Sequence, residues 1–451
     1  MTSKDDLARL DAIEKALLNR WPETRIAPTL ERIAALADVL GSPQLSYPTI
    51  HIAGTNGKTT TTRLIDSLCF ELGMRTGRFT SPHLESFLER ISINGEPIAA
   101  EGMIATYNDI ALYLDLIDSK MSNKLSFFEA MCALSFVAFA EFPVDVGIFE
   151  CGMGGEWDST NVINAAVSVI TPIGFDHMEY LGDTLEKIAT TKSGIIKEGS
   201  FAVLARQEAD VAQVLLHKCA QVDATPIREG IEYSVKNRAL AIGGQLISIA
   251  GVYGEYDDLF LPLHGAHQAA NAATAIAAVE VFAGESKLDE QVVRAALANA
   301  TSPGRCEIVM RNPTVIIDAA HNPHGADSLK QTLSEEFDFD GVIGVVAPMG
   351  DKDVSGILET LEGVMSNVIV TRNSSHRAAS VDELFDTARE IFNSERVQKF
   401  ETLELAISTA IEQAKLQNAI QDSNVAVVIA GSVVTAGEAR AIVRKLKESR
   451  K

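Results

Sequence analysis

The chain has 451 residues, 46% of them hydrophobic, and a formal net charge of −22. That length calls for two or three domains with sizeable cores rather than one. The acidic balance excludes a protein that coats nucleic acid, because phosphate binding needs basic patches, but it leaves room for a nucleotide held by a few local cations.

The N-terminus, MTSKDDLARLD, has no apolar stretch of the kind a signal peptide needs. Leu7, Leu10, Ile13 and Leu17 recur at helical spacing, so residues 4–20 read as a helix. A second helix is expected from Thr29 to Leu40, stopping at Gly41. Thr49 to Ala53 reads as a short buried strand, followed by a Gly-rich turn and a helix from Thr59 to Leu72. The apolar run from Met131 to Phe142 is too short to cross a bilayer. Further strands are expected at Val144–Glu150 and Ala166–Thr171, alternating with helices, the pattern of a parallel α/β sheet. Tyr233 to Leu261 turns to short strands with Gly turns, expected as an antiparallel extension, and helices follow at His267–Phe282 and Asp289–Ala300.

A Ser-Pro-Gly break lies within Thr301–Gly304, and the domain boundary is placed at Thr301–Pro303. Beyond it, strands at Val315–Asp318, Val342–Ala347, Val368–Thr371 and Val425–Ala430 alternate with helices starting near Pro323, Val354, Val381 and Leu403. The expected fold is α/β: a P-loop parallel-sheet ATPase domain over 1–301, then a smaller doubly wound, Rossmann-like domain over 302–451. The five cysteines are scattered with no CxxC pair, as in a reduced, cytoplasmic protein.

The segment His51-Ile-Ala-Gly54-Thr55-Asn56-Gly57-Lys58-Thr59-Thr60 carries the first chemistry. Its glycines let several backbone N–H groups turn toward one anion. Lys58 adds charge for the terminal phosphates, the following helix adds its N-terminal dipole, and the Thr59 hydroxyl suits Mg²⁺. The common GxxxxGK[ST] pattern would need glycine at position 52, where this chain has Ile52. A bare GxxGK is often an ordinary turn; the strand before it and the helix after it favour phosphate binding.

Glu150 ends an apolar strand, at the edge where parallel sheets bind ligands, and is placed to hold Mg²⁺. A strand-end glutamate can also simply face water. Asp176-His177 follows the next strand, where His177 can ligate a second metal or orient a phosphate. Lys192, taken by itself, is a surface helix lysine. In the second domain Asp318 and His321 again sit at a strand tip, with Asn322-Pro323 opening a helix. Arg305, just past the break, can reach a γ-phosphate with its planar guanidinium or be an exposed linker charge.

Taken in order, these segments resemble the folylpolyglutamate synthase/dihydrofolate synthase branch of the Mur-ligase superfamily. The match runs from Gly54 to Arg440. It comprises the GTNGK loop, Thr80-Ser81-Pro82-His83-Leu84, Glu89-Arg90-Ile91, the stretch from Glu150 through Asp158 to Asn161, and Asp176-His177 through Gly182. Lys192-Ser-Gly-Ile-Ile, Gly265-Ala-His267 through Asn271, Pro303-Gly304-Arg305, Asp318-Ala-Ala-His321-Asn322 and Met349-Gly350-Asp351-Lys352-Asp353 continue it. The SPHL segment marks the folate branch. Murein-building members carry a sugar-nucleotide domain before the P-loop, and only 53 residues precede Gly54 here.

The resemblance implies a bifunctional ATP-dependent ligase. It would activate the carboxylate of dihydropteroate or a reduced folate as an acyl phosphate and join it to L-glutamate. Gly54 to Thr60 would hold ATP; Ser81, Glu150 and His177, with Thr59, would surround Mg²⁺ at two sites. Lys192 would be carbamylated, giving an anionic metal ligand. Asn271 and Asp318 would contact adenine and ribose, Arg305 the γ-phosphate, and His321 the reaction centre. Ser81, Pro82, His83, Leu84 and Asp158 would shape the folate pocket. Many members have glycine where this chain has Thr59; Ala319 and Glu156 also depart from the pattern. No nucleic-acid or membrane partner is expected, and the chain is expected to act as a monomer. The rival readings are another Mur-type amide ligase, such as one acting on a peptidoglycan precursor, a monofunctional polyglutamate synthase, and a P-loop switch protein.

Overall fold

A computed structural model describes residues 3–22 and 27–448 of the chain. The first sheet has eight strands: β1 Thr49–Ala53, β2 Thr76–Phe79, β3 Ile91–Ile93, β4 Glu96–Pro97, β5 Val146–Glu150, β6 Val167–Ile170, β7 Phe201–Leu204 and β8 Thr225–Arg228. Their order is β4-β3-β2-β5-β1-β6-β7-β8. β1 pairs in parallel with β5 and β6, Ile52 beside Glu150 and Ala53 beside Ile170, so the phosphate loop leaves the middle of the sheet. Every residue of β1 and β5 is buried, which is why these strands read as continuous apolar runs rather than alternating ones. β3 and β4 form an antiparallel edge.

One face is covered by the helices Lys4–Leu18, Glu31–Val39, Ala100–Lys120 and Phe127–Glu141, which share a core with Phe79 and Phe149. The last of these starts at a capping box: Ser126 Oγ accepts from the Glu129 N–H and Glu129 accepts from the Ser126 N–H. On another part of the sheet Ile170, Ala202 and Leu204 pack against the helices Leu185–Ser193 and Ala209–Gln221. No helix among the described residues is long and apolar enough to cross a membrane.

The segment expected as an extension of the first sheet is instead a separate one, β9 Ser234–Ala241, β10 Gly244–Ala250 and β11 Glu255–Leu261, in the order β11-β10-β9. Gly243, at φ +81°, makes the tight turn between β9 and β10. The chain divides into two compact units. The first comprises Met1–Ala239, Leu246–Pro262 and Gln268–Thr301; the second Leu240–Gln245, Leu263–His267 and Ser302–Lys451.

The second unit is built on a six-stranded sheet of β12 Glu307–Arg311, β13 Thr314–Ile317, β14 Gly341–Val346, β15 Asn367–Val370, β16 Val397–Lys399 and β17 Val425–Ala430, ordered β12-β13-β17-β14-β15-β16. The four strands expected from the sequence form its parallel centre. An antiparallel β12 and a short β16 complete the edges. Asn322 caps the helix Pro323–Glu336, its side chain accepting from the Gly325 N–H at 2.7 Å.

Candidate active site

The phosphate loop is fixed by contacts that exclude larger side chains. Gly57 precedes the helix Lys58–Glu71 at φ +86°, and a Cβ there would lie 2.6 Å from Asn271 Oδ1. A Cβ on Gly54, at φ +151°, would fall 1.9 Å from Thr171 Oγ1. The loop is also sewn to the turn after β6: Thr55 N–H donates to the Pro172 carbonyl at 3.0 Å, and the Thr55 hydroxyl donates to the Gly174 carbonyl at 3.0 Å. Asn271, from the Ala-rich helix Ala266–Phe282, is thereby placed against the loop.

Two lysines converge on one acceptor. Lys58 Nζ donates to the carbonyls of Gly54 (3.2 Å) and Thr55 (3.1 Å), and Lys192 Nζ donates to the same Gly54 carbonyl at 2.8 Å. Lys192, which by itself reads as a surface residue, is 5% exposed. Burial, and after it the charge of Lys58, pulls its amine down to about 7. The glycines around it explain how its helix comes so close. A Cβ on Gly155 would meet the Lys192 carbonyl at 2.6 Å, and one on Gly194 would meet Glu156 Cα at 2.4 Å.

Glu150 is buried at the tip of β5 beside the loop. Its Oε1 accepts from the Thr59 hydroxyl at 2.8 Å and its Oε2 from the Ser81 N–H at 3.3 Å. Two of the expected metal ligands, Thr59 and Glu150, thus meet through side-chain oxygens, which suits a hard cation such as Mg²⁺, and Ser81 joins them through its backbone N–H. His177 lies on the neighbouring turn at φ +50°, its N–H donating to Asp176 Oδ1 at 2.9 Å.

Glu89 pins the backbone of the SPHL loop. Its carboxylate accepts from the N–H groups of Leu84 (2.9 Å), Glu85 (3.1 Å) and Ser86 (3.0 Å). Arg90 Nε donates to His83 Nδ1 at 2.9 Å, and its guanidinium lies over the Phe127 ring. Because Arg90 can only donate, Nδ1 is the acceptor and Nε2 carries the His83 proton. Asp158, expected against folate, is turned inward instead: it is 4% exposed and accepts from Met153 N–H at 2.9 Å and from Thr160 N–H at 3.0 Å. Burial raises its carboxyl above the usual range, against the pull of these donors. The charged motif residue is therefore the clamp of the loop after Glu150. The sequence did not single out His51, whose fully buried Nε2 lies 2.7 Å from Thr160 Oγ1 and 3.1 Å from Cys151 Sγ. Burial, then Lys197, lowers this imidazole to about 3, so it stays neutral.

In the second unit, Asp318 at the tip of β13 accepts from Cys306 N–H and Ala320 N–H, both at 2.7 Å. Burial raises its carboxyl, partly offset by Arg305. His321 Nδ1 lies 3.0 Å from the Ala319 carbonyl. A carbonyl only accepts, so Nδ1 carries the proton and Nε2 is the basic atom of the neutral ring. Arg305, Asp318 and His321 are thus grouped at one end of the second sheet.

Comparison with known proteins agrees with this geometry. Residues 52–279 match the Mur ligase middle domain and residues 304–433 the Mur ligase, glutamate ligase domain. The dihydrofolate synthase/folylpolyglutamate synthase of Mycobacterium tuberculosis is 50% identical over 462 residues, covering 97% of this chain and 94% of that protein. The Bacillus subtilis protein of the same name is 37% identical, covering 82% and 86%. The M. tuberculosis folylpolyglutamate synthase structure complexed with ADP superposes with a TM-score of 0.94 at 50% identity, over 97% of this chain and 99% of that one. Escherichia coli FolC in complex with DHPP and ADP gives a TM-score of 0.84 at 28% identity, over 97% and 98%. Matched by both Mur ligase domain models and 50% identical to a named member over 97% of its own length, this chain belongs to the folylpolyglutamate synthase/dihydrofolate synthase family of ATP-dependent Mur-type ligases.

Proposed function

We propose that this chain is a bifunctional folate ligase, which joins L-glutamate to dihydropteroate and to reduced folates with conversion of ATP to ADP and phosphate. The observation that carries this reading is the meeting of the phosphate loop with Glu150 and the SPHL loop: Ser81 N–H reaches Glu150, and Glu150 reaches Thr59. A nucleotide site and the loop expected to hold folate share one carboxylate. Residues 1–301 would form the ATP-binding domain and 302–451 the glutamate-ligase domain. The proposal has the protein acting as a cytoplasmic monomer, consistent with five free, buried cysteines.

A carboxylate is a poor acyl donor, and transfer of the γ-phosphoryl group gives an acyl phosphate with a good leaving group. Backbone N–H groups of Gly54 to Thr60 would cradle the phosphates, and Lys58 would leave the Gly54 and Thr55 carbonyls to follow the charge of the transferring group. Arg305 would add a second cation there, and Asn271 and Asp318 would position adenosine. The amino group of glutamate then attacks the acyl carbon and phosphate departs. His321, whose Nδ1 is held by the Ala319 carbonyl, would take the proton from that amine on Nε2.

Thr59, Ser81, Glu150 and His177 would hold Mg²⁺, for which the oxygens of Thr59 and Glu150 are suited donors; when bound it would neutralise phosphate charge. Lys192 would add CO₂ at its neutral amine, releasing one proton and gaining an anionic carbamate suited to a second ion. The burial that brings its amine to about 7 favours this reaction. Above that pH the neutral, nucleophilic form dominates, and below it the ammonium does. Under ¹³CO₂ at fixed partial pressure, a carbamate carbon resonance is expected in the wild type, growing as pH rises through about 7. It is expected to be absent from Lys192→Met. A wild-type spectrum identical to that of the variant would remove the carbamate from the account.

The activity is tested by ADP release with Mg-ATP and L-glutamate, adding dihydropteroate and tetrahydrofolate in turn and weighing the products. Glutamate-dependent turnover with both is expected. Turnover with tetrahydrofolate alone would reduce the chain to a polyglutamate synthase, and turnover with neither would end the folate reading.

A further inference from the structure

Arg63 lies on the phosphate-loop helix, one turn past Thr59. Its Nε donates to the Thr301 carbonyl at 3.1 Å. Its two terminal nitrogens make no hydrogen bond among the described residues. Thr59, on the same face of this helix, bonds Glu150, and the charges acting on the Arg63 guanidinium are those of Arg78, Asp66, Glu89 and Glu150.

Each of those carboxylates is engaged elsewhere. Asp66 is ion-paired with Arg78 in the core. Glu89 spreads its charge over three loop N–H groups. Glu150 accepts from Thr59 and Ser81 at the proposed metal site. Burial pushes the Arg63 guanidinium down to about 10, which leaves it charged at neutral pH. Its charge is therefore not consumed by a hydrogen-bonded partner among the described residues, and it lies one helical turn from Thr59, the residue that bonds Glu150 beside the SPHL loop.

A folate whose carboxylate is phosphorylated must lay its last residue between the SPHL loop and the metal site. The acceptors differ at that end. A folate ends in a glutamyl residue with two carboxylates, of which only the γ-carboxylate reacts. Dihydropteroate ends in a benzoate, with one carboxylate. We propose that Arg63 is a specificity residue that takes the non-reacting α-carboxylate of a glutamyl-ended acceptor on its two terminal nitrogens, as a bidentate pair. This rests on the folate-ligase reading above. Polyglutamate extension then depends on Arg63, and dihydrofolate formation does not.

The test is steady-state kinetics of wild type, Arg63→Gln and Arg63→Lys with each acceptor. Glutamine keeps an N–H for the Thr301 carbonyl and removes the charged fork. For Arg63→Gln the KM for tetrahydrofolate is expected to rise roughly 10- to 100-fold, the scale of a lost charge-assisted pair. Its kcat is expected to hold, and the KM of dihydropteroate, or its Ki against tetrahydrofolate, to stay unchanged. Arg63→Lys is expected to recover part of the loss. An equal loss with both acceptors would make Arg63 a mere anchor of Thr301 and overturn the proposal, as would no loss with either. Failure of the folate reading is separately visible, since wild type would then bind neither acceptor, and the proposal would fall with it.

Discussion

Replacing Lys58 by alanine is expected to abolish measurable ATP turnover while leaving the fold intact. The ammonium is the loop's own mobile cation, and removing one preorganised charge from a transferring group costs roughly 10²- to 10³-fold, about 3–4 kcal/mol. The structure says why the fold survives. Among the described residues Lys58 Nζ bonds only the Gly54 and Thr55 carbonyls, and Gly54 keeps its bond from Lys192. Lys58 also depresses the Lys192 amine, so its loss relieves a repulsion inside the site. The variant's thermal midpoint is expected to match or exceed that of the wild type. ADP release and a melting curve on one preparation check both statements; an undiminished rate would sink the phosphate-loop assignment.

The second large effect is expected from Glu150→Gln. The amide has the size of the carboxylate and can still accept from the Thr59 hydroxyl, so β5 and the loop should keep their places. What goes is a full negative charge in a buried position. Residues that merely orient a metal ligand cost 10- to 100-fold in affinity when removed, so losing a direct ligand is expected to raise the half-saturating Mg²⁺ at least about 100-fold. Excess Mg²⁺ should then restore part of the rate. A Mg²⁺ dependence equal to that of the wild type would remove Glu150 from the metal site.

Much of this site was legible in the sequence because it is local. Strand, glycine loop and helix follow one another within His51–Leu72, and a carboxylate ending an apolar strand announces the ligand edge of a sheet. The same holds for Asp318 and His321, which sit on one strand tip of the second unit. Other features depend on tertiary contacts that no window of sequence carries. Lys192 looks like any helix lysine until the loop at Gly155 is seen pressed against its carbonyl. Asp158 has the look of a substrate contact, yet the chain turns it inward as a clamp. Arg63 was not singled out in the sequence, because Glu89 and Glu150, whose charges act on it, come from distant segments. The short edge strands β4 and β16, two and three residues long, are too brief to show a period.

The central claim is that this chain phosphorylates a folate carboxylate before joining it to glutamate. The most direct measurement uses tetrahydrofolate labelled with ¹⁸O in its γ-carboxylate, incubated with ATP and L-glutamate, followed by mass analysis of the released phosphate. An acyl phosphate requires one carboxylate oxygen to leave with the phosphoryl group, so phosphate carrying a single ¹⁸O is the expected product, formed in step with the new amide. Amide formed together with wholly unlabelled phosphate would contradict the account.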